Sequence, residues 1–166
     1  MSRDPEVRRF IGPGLPLERE KADADFDWML AHWEEHGFGW RSVLDKTTNQ
    51  WLGFVGLSFI PPELEGFTAD QVEIGWSLVR HAWGQGYATE GATRVRNEAF
   101  ELVGLDRLRA RLQPANIASA RVAQKIGMDY EREAFGPQGV ALHIYYLDRL
   151  GWKRELQRSA SEAPRA

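Results

Sequence analysis

Apolar positions recur every three or four residues between Glu18 and His36, where Ala22, Phe26, Met29, Leu30 and Trp33 form one stripe. That period predicts an amphipathic helix. Glu18 and Glu20 fall in its first turn, His32 and His36 near its end, and Gly37 supplies the stop. Upstream, Asp4 to Phe10 reads as a helical turn cut short by Gly12-Pro13-Gly14. Beyond Gly37 the period falls to two. Gly39–Asp45 and Trp51–Ile60 read as strands joined by a hairpin at Lys46–Gln50, and Pro61-Pro62 ends the second. Val72–Val79 reads as a third strand, with Val72, Ile74, Trp76 and Leu78 on one face and Glu73, Gly75, Ser77 and Val79 on the other. A glycine-containing turn, His81 to Gly86, leads into a second helix whose apolar positions are Ala88, Ala92, Val95, Ala99 and Leu102.

Past Gly104, Asp106–Leu112 alternates cleanly: Leu108, Ala110 and Leu112 point one way, Arg107, Arg109 and Arg111 the other. Asn116 is placed to N-cap a helix through Lys125, and Gly127 ends it. Met128–Phe135 and Val140–Leu147 are the last two strands, and a short helix is expected from about Arg149. The pattern predicts an α+β (α/β) fold: a mixed, mostly antiparallel sheet with one strand–helix–strand crossover in its middle, flanked by helices. At 166 residues the chain is long enough for one domain, expected over residues 1–158, with residues 159–166 as a loose tail.

Composition removes several classes. With no Cys, thiolate zinc sites, disulfide frameworks and cysteine nucleophiles are excluded. A net charge of −3 gives no global field that favours nucleic acid. No apolar run approaches about 18 residues, which argues against a membrane span. No signal peptide opens the chain, so a cytoplasmic protein is expected. Seven Trp imply broad apolar surfaces with polar handles.

The strongest local signal is Trp83-Gly84-Gln85-Gly86-Tyr87-Ala88-Thr89-Glu90, between a strand and a long helix. Residues without a Cβ let backbone N–H groups turn toward one point, and the helix adds its N-terminal donors, which makes an anion corner suited to phosphate or pyrophosphate. The full Rossmann glycine pattern and the Walker lysine are both missing, which speaks against a nucleotide-binding α/β enzyme. By itself the turn also fits a plain strand-to-helix stop.

Together with two further segments, this turn resembles the GNAT superfamily of acetyl-CoA-dependent N-acetyltransferases, most of all its ribosomal-protein-alanine N-acetyltransferase-like branch. Glu73-Ile74-Gly75-Trp76 is similar to that branch's third-strand signature, and Trp83 to Glu90 to its pyrophosphate loop. Asn116 to Val122 with Lys125-Ile126-Gly127-Met128 is similar to its second cofactor motif. The resemblance spans about Asp4 to Trp152. It implies that the strand ending at Leu78-Val79 splays from the following parallel strand, and that acetyl-CoA lies in the gap with its pantetheine arm along that strand. Trp83, Gly84, Gln85, Gly86, Tyr87, Ala88 and Thr89 would hold the pyrophosphate, mainly by backbone amides. Asn116 would bind the pantetheine arm or fix the splay, and Ser119 would stand near the thioester sulfur as a proton donor. Transfer would be direct, without a metal.

The acceptor amine must be neutral to attack. At pH 7 deprotonation costs roughly 1.0–1.4 kcal/mol for an α-amino group and about 4.6 kcal/mol for Lys. A modest base therefore suffices for a protein N-terminus, and Glu73 on the cofactor strand is the candidate; the plainer reading is a surface carboxylate paired with an arginine. Trp40, with Phe38, is expected to wall the acceptor pocket, and Tyr145 to lie near the thioester or else in the core. His143 reads as an ordinary hydrogen-bonded strand histidine, Arg107, Arg109 and Arg111 as a solvated stripe, and Trp28 and Trp33 as packing for the first helix. Glu63, Glu65 and Asp70 would suit a polycation.

Family members usually open with one more strand, which is missing ahead of Asp4. The strand near Trp40 would then be a bare edge, which implies either a mis-assigned translation start or an edge covered by the N-terminal arm or by a second copy in a homodimer. Two classes of function stand: an N-acetyltransferase acting on a protein N-terminus or on a small amine such as a polyamine or aminoglycoside, and a domain that binds acyl-CoA without turning it over.

Overall fold

Six strands form one sheet in a computed structural model that describes residues 1–61, 64 and 66–162. In chain order the elements are α1 (Pro5–Arg8), α2 (Arg19–His36), β1 (Trp40–Leu44), β2 (Trp51–Phe59), β3 (Val72–Leu78), α3 (Tyr87–Glu101), β4 (Arg107–Leu112), α4 (Ile117–Lys125), β5 (Asp129–Phe135), β6 (Ala141–Asp148) and α5 (Arg149–Glu162). The sheet order is β1-β2-β3-β4-β6-β5, antiparallel throughout except for β3 and β4, which run parallel. The α+β fold read from the sequence is the one observed, and element limits agree to within a residue or two. Residues 159–162, read as the start of a tail, continue α5, and residues 163–166 lie outside the described residues. No helix among the described residues is long and apolar enough to cross a membrane.

The main core lies between the sheet and α3 with α4. Ala92, Val95, Ala99 and Phe100 of α3 pack on Val55, Leu57, Ile74 and Leu108, and Ala123, Ile126 and Trp152 close the other side. Leu102, read as part of the α3 stripe, is instead 78% exposed and follows the end of the helix, while Phe100 takes the buried place. The stripe read on α2 is also shifted. Phe26 and Leu30 are about half exposed (48% and 50%), and the residue α2 buries is His32. The local cause is the helix end. Gly37 takes the left-handed conformation (φ 70°), the chain reverses, and His32 Nδ1 donates to the Phe38 carbonyl at 2.8 Å. That turn sets which face of α2 meets the Phe38 and Phe59 rings.

The arginines of β4 are not a solvated stripe. Because β4 sits between β3 and β6, its arginines lie among the side chains of other strands on the same face of the sheet. Arg109 donates twice to Glu131 (2.8 and 3.1 Å), which holds that carboxyl below the usual carboxylate range, and Arg111 donates twice to Glu73. Only Arg107 stays half exposed, 3.9 Å from Glu131. At the far side, β1 is an edge strand among the described residues. The N-terminal arm does not cover that edge: it crosses the middle of the sheet at the ends of β3 and β4, tied by Arg80 to Asp4 (2.9 Å) and by Gln113 to the Gly12 carbonyl (3.1 Å).

Candidate functional site

A gap opens in the middle of the sheet. β3 and β4 share one rung, Glu73 opposite Arg109, and no further pairing. Beyond that rung the strands diverge, since the α3 crossover carries β4 back into the sheet from one side while β3 stays fully paired to β2 from Val72 to Leu78. Two cavities of about 430 Å³ each meet in the gap. Trp76, Ser77, Asn116 and Ser119 line both, and Phe10 and Ile11 of the N-terminal arm roof both.

The first cavity is bounded by the corner between β3 and α3. Gly84 and Gly86 have φ of 73° and 90°, the left-handed region that costs any L side chain about 1–2 kcal/mol. A Cβ at either position would meet nothing within 4 Å, so the glycines are required by backbone conformation and not by crowding. None of the backbone N–H groups from Gly84 to Thr89 donates a hydrogen bond among the described residues. Six successive donors thus sit at the N-terminus of a 15-residue helix, where its dipole also favours negative charge. Side chains pin the corner from three sides. Trp83 Nε1 donates to the Leu78 carbonyl (2.8 Å), Gln85 Nε2 to the His81 carbonyl (2.5 Å), and the Tyr87 hydroxyl to Asp45 Oδ2 in the β1–β2 turn. Asp45 also accepts from the Thr47 and Thr48 amides and the Thr48 hydroxyl. These donors, Tyr87 first, hold its carboxyl down to about 2 and push the Tyr87 phenol up.

Leu78 faces the gap. The Val79 N–H bonds the Leu52 carbonyl on the β2 side, and alternate residues of a strand turn their backbone groups to opposite sides. The Leu78 N–H therefore points away from β2 into the gap, while its carbonyl is already held by Trp83. Across the gap, Asn116 caps α4, its Oδ1 accepting from the Ser119 N–H (3.1 Å). The Ser119 hydroxyl accepts from Trp76 Nε1 (3.3 Å), which leaves its own O–H to donate elsewhere. Arg121 and Lys125, one turn apart on α4, also line this cavity, and neither has an ion-pair partner among the described residues.

The second cavity is walled by side chains. Trp40 reaches it because Gly75 has none: a Cβ there would stand 2.4 Å from the Trp40 ring. Glu73 lines it as well, with both oxygens held by Arg111 at 2.6 Å and Oε1 also accepting from Ser58 at 3.4 Å. Phe38 and Tyr145, read as near this pocket, lie in the main core instead. His143 is half-buried beside the Tyr130 ring, 3.7 Å from Glu133. Asp70 bonds Thr68 and lines neither cavity, and Glu63 and Glu65 lie outside the described residues.

The structure therefore brings together Glu73, Leu78, Trp83, Gly84, Gly86, Ala88, Thr89, Asn116, Ser119 and Trp40. The Gln85 and Tyr87 side chains brace the corner, while their N–H groups belong to the open run of donors. The sequence reading missed Arg111, Trp76, the Phe10–Ile11 roof and the Asp45 tie. It also missed Arg121 and Lys125, although their i,i+4 spacing after the Asn116 cap was a local signal.

Residues 1–129 match the acetyltransferase (GNAT) domain family. The chain is 33% identical over 129 residues to YkkB, an uncharacterized protein of Bacillus subtilis, covering 78% of this chain and 72% of that one. An acetyltransferase structure from Agrobacterium tumefaciens is similar at TM-score 0.73 and 29% identity, covering 89% of this chain and 81% of that one. A spermidine N-acetyltransferase from Vibrio cholerae, solved with CoA and spermine, shares the fold at TM-score 0.71 and 14% identity, covering 92% and 88%.

Proposed function

The chain belongs to the acetyltransferase (GNAT) domain family, and from that premise we propose that it acetylates a primary amine, first of all the α-amino group of a protein or peptide. The observation that carries this reading is the gap left by the single β3–β4 rung, flanked by six N–H donors without partners among the described residues. The three motifs around Glu73, Trp83 and Asn116 favour the ribosomal-protein-alanine N-acetyltransferase-like branch. The residues present suit acetyl-CoA: an anion corner of main chain, a strand edge with an open N–H at Leu78, and cations on α4 that have no ion-pair partner among the described residues. Bound there, acetyl-CoA supplies the thioester carbonyl that an amine attacks, so that acetyl moves from sulfur to nitrogen.

The chain's own residues have four tasks. The Gly84–Thr89 amides hold the pyrophosphate, with Arg121 and Lys125 beside them for further phosphate charge. The Leu78 N–H, fixed in the sheet, meets the negative charge that grows on the carbonyl oxygen; a preorganised donor of this kind is worth about 2.7–4 kcal/mol of barrier. Asn116 holds α4 at the splay, and its neighbour Ser119 protonates the departing thiolate. Glu73 takes the amine proton through water. Arg111 and Ser58 use three of the roughly four lone-pair sites on its carboxylate, which leaves one for that water. For an α-amino group the proton to be removed is held by only about 1 kcal/mol at pH 7.

Titration calorimetry with CoA, followed by thiol release against a panel of amines and peptides with product mass measured, tests the proposal. Tight CoA binding with acceptor-dependent thiol release supports it. Binding without release marks an acyl-CoA-binding module, and no binding removes both readings.

A further inference from the structure

We infer that the second cavity takes an amine carried on an apolar, uncharged body and turns polycations away. The inference rests on the acetyl-transfer reading and names the acceptor class for that same site. Among the described residues, Glu73 and Arg111 are the two charged side chains lining this cavity. They are bound to each other by two hydrogen bonds of 2.6 Å, and each side chain is under one-fifth exposed. The pair cancels, so the chamber offers no net charge to a second ammonium group.

Its other walls are mostly apolar. Trp40, Ile74, Trp76, Leu112, Val140 and Leu142 surround the pair. The polar side chains are uncharged: Gln113 already donates to the Gly12 carbonyl, Ser77 to Met1 Sδ, Asn116 accepts from the Ser119 N–H, Ser119 accepts from Trp76, and Gln138 is an exposed amide. A polyamine entering here loses the hydration of every ammonium group and finds, among the described residues, no unpaired carboxylate in return. A single amine on an aromatic or aliphatic body leaves water for a surface that matches it. For a peptide acceptor, the same logic selects an apolar first side chain.

The test uses the full chain with acetyl-CoA and four acceptors: 2-phenylethylamine, L-phenylalaninamide, spermidine and L-glutamate. Thiol release is followed together with calorimetric binding of each acceptor to the CoA-loaded protein. The expected result is a kcat/KM at least about tenfold higher for the two apolar amines than for spermidine. Val140→Glu, which adds a carboxylate to the wall without touching the Glu73–Arg111 pair, should narrow that ratio at least about tenfold. Spermidine turned over as well as the apolar amines by the wild-type protein overturns the inference and leaves acetyl transfer standing. No amine-dependent release overturns the transfer reading. The calorimetric ranking then still decides the cavity's preference, and tighter spermidine binding overturns the inference.

Discussion

The two cavities that meet between β3 and β4 have equal volume and opposite construction. The first is built chiefly from main chain: a run of amides at Gly84–Thr89, an open edge at Leu78 and a helix start at Tyr87. The second is built from side chains drawn from separated segments: Phe10–Ile11, Trp40, Glu73–Trp76, Arg111–Gln113 and Gly136–Leu142. Main chain presents the same groups whatever the sequence, provided the φ/ψ angles are reached, so the first cavity fits one invariant ligand part. Side chains change freely, so the second can be recut for a new acceptor without disturbing the first. Substitutions in one half should leave the other half's binding intact.

The largest effect is expected from the acceptor half. Arg111→Met leaves the largely buried Glu73 carboxylate without its partner and should lower stability by about 3 kcal/mol in urea unfolding. Adding Glu73→Leu removes the orphaned charge, and the double variant should recover most of that loss. Its CoA affinity should equal that of the wild-type protein while amine turnover stays low. If the double variant instead loses CoA binding in proportion to turnover, the two cavities are one energetic unit and the division fails.

Next comes the cofactor half. Gly84→Val with Gly86→Val forces two L side chains toward left-handed angles, at about 1–2 kcal/mol each. Both Cβ atoms would face open space, so the free protein can relax the corner and keep its fold. Binding must then restore the strain, and CoA affinity measured by calorimetry should fall on the order of 100-fold. Affinity within a few-fold of wild type would show that the anion is held elsewhere.

The same division explains what the sequence revealed. The glycine corner and the Asn116 cap are local: their residues adjoin in the chain. The sequence offered an anion corner or a plain strand-to-helix stop at the first and a helix start at the second, and only the resemblance joined them into one site. The splay of β3 from β4 came from family resemblance, since no periodicity reports how many rungs two strands share. Arg111 looked like one of three solvated arginines, because alternation gives the face of a strand but not its neighbours. Only the sheet order, with β4 between β3 and β6, puts Glu73 within reach. Tyr145 was left between two places for the same reason, and its β6 register, opposite Ala110, puts it in the core. On α2 the apolar stripe was real, yet the Gly37 turn and the His32–Phe38 hydrogen bond decided which face was buried. Contacts between distant segments, such as Gln113 with Gly12 or Asp45 with Tyr87, left no mark in either segment.

The smallest effect tests that last contact. Tyr87 starts α3, and its hydroxyl ties the anion corner to the β1–β2 turn through Asp45. Lys46 and Glu90 repeat the tie at 3.4 Å, so losing one leaves the other. Tyr87→Phe should therefore raise the KM for acetyl-CoA only about two- to threefold, the loss of one part-buried hydrogen bond, with kcat and acceptor KM unchanged. The carboxyl of Asp45 supplies an independent readout. Its folded value of about 2 lies below the ordinary carboxylate value of about 3.9, so the tie is fully present above the latter and is lost as pH falls through the former. The Asp45 carboxyl carbon, followed by NMR, should titrate near pH 2 in the wild-type protein and move upward in Tyr87→Phe. An Asp45 titration that Tyr87→Phe leaves in place would mean the turn amides alone hold the carboxylate, and that the corner is braced from its own side of the gap.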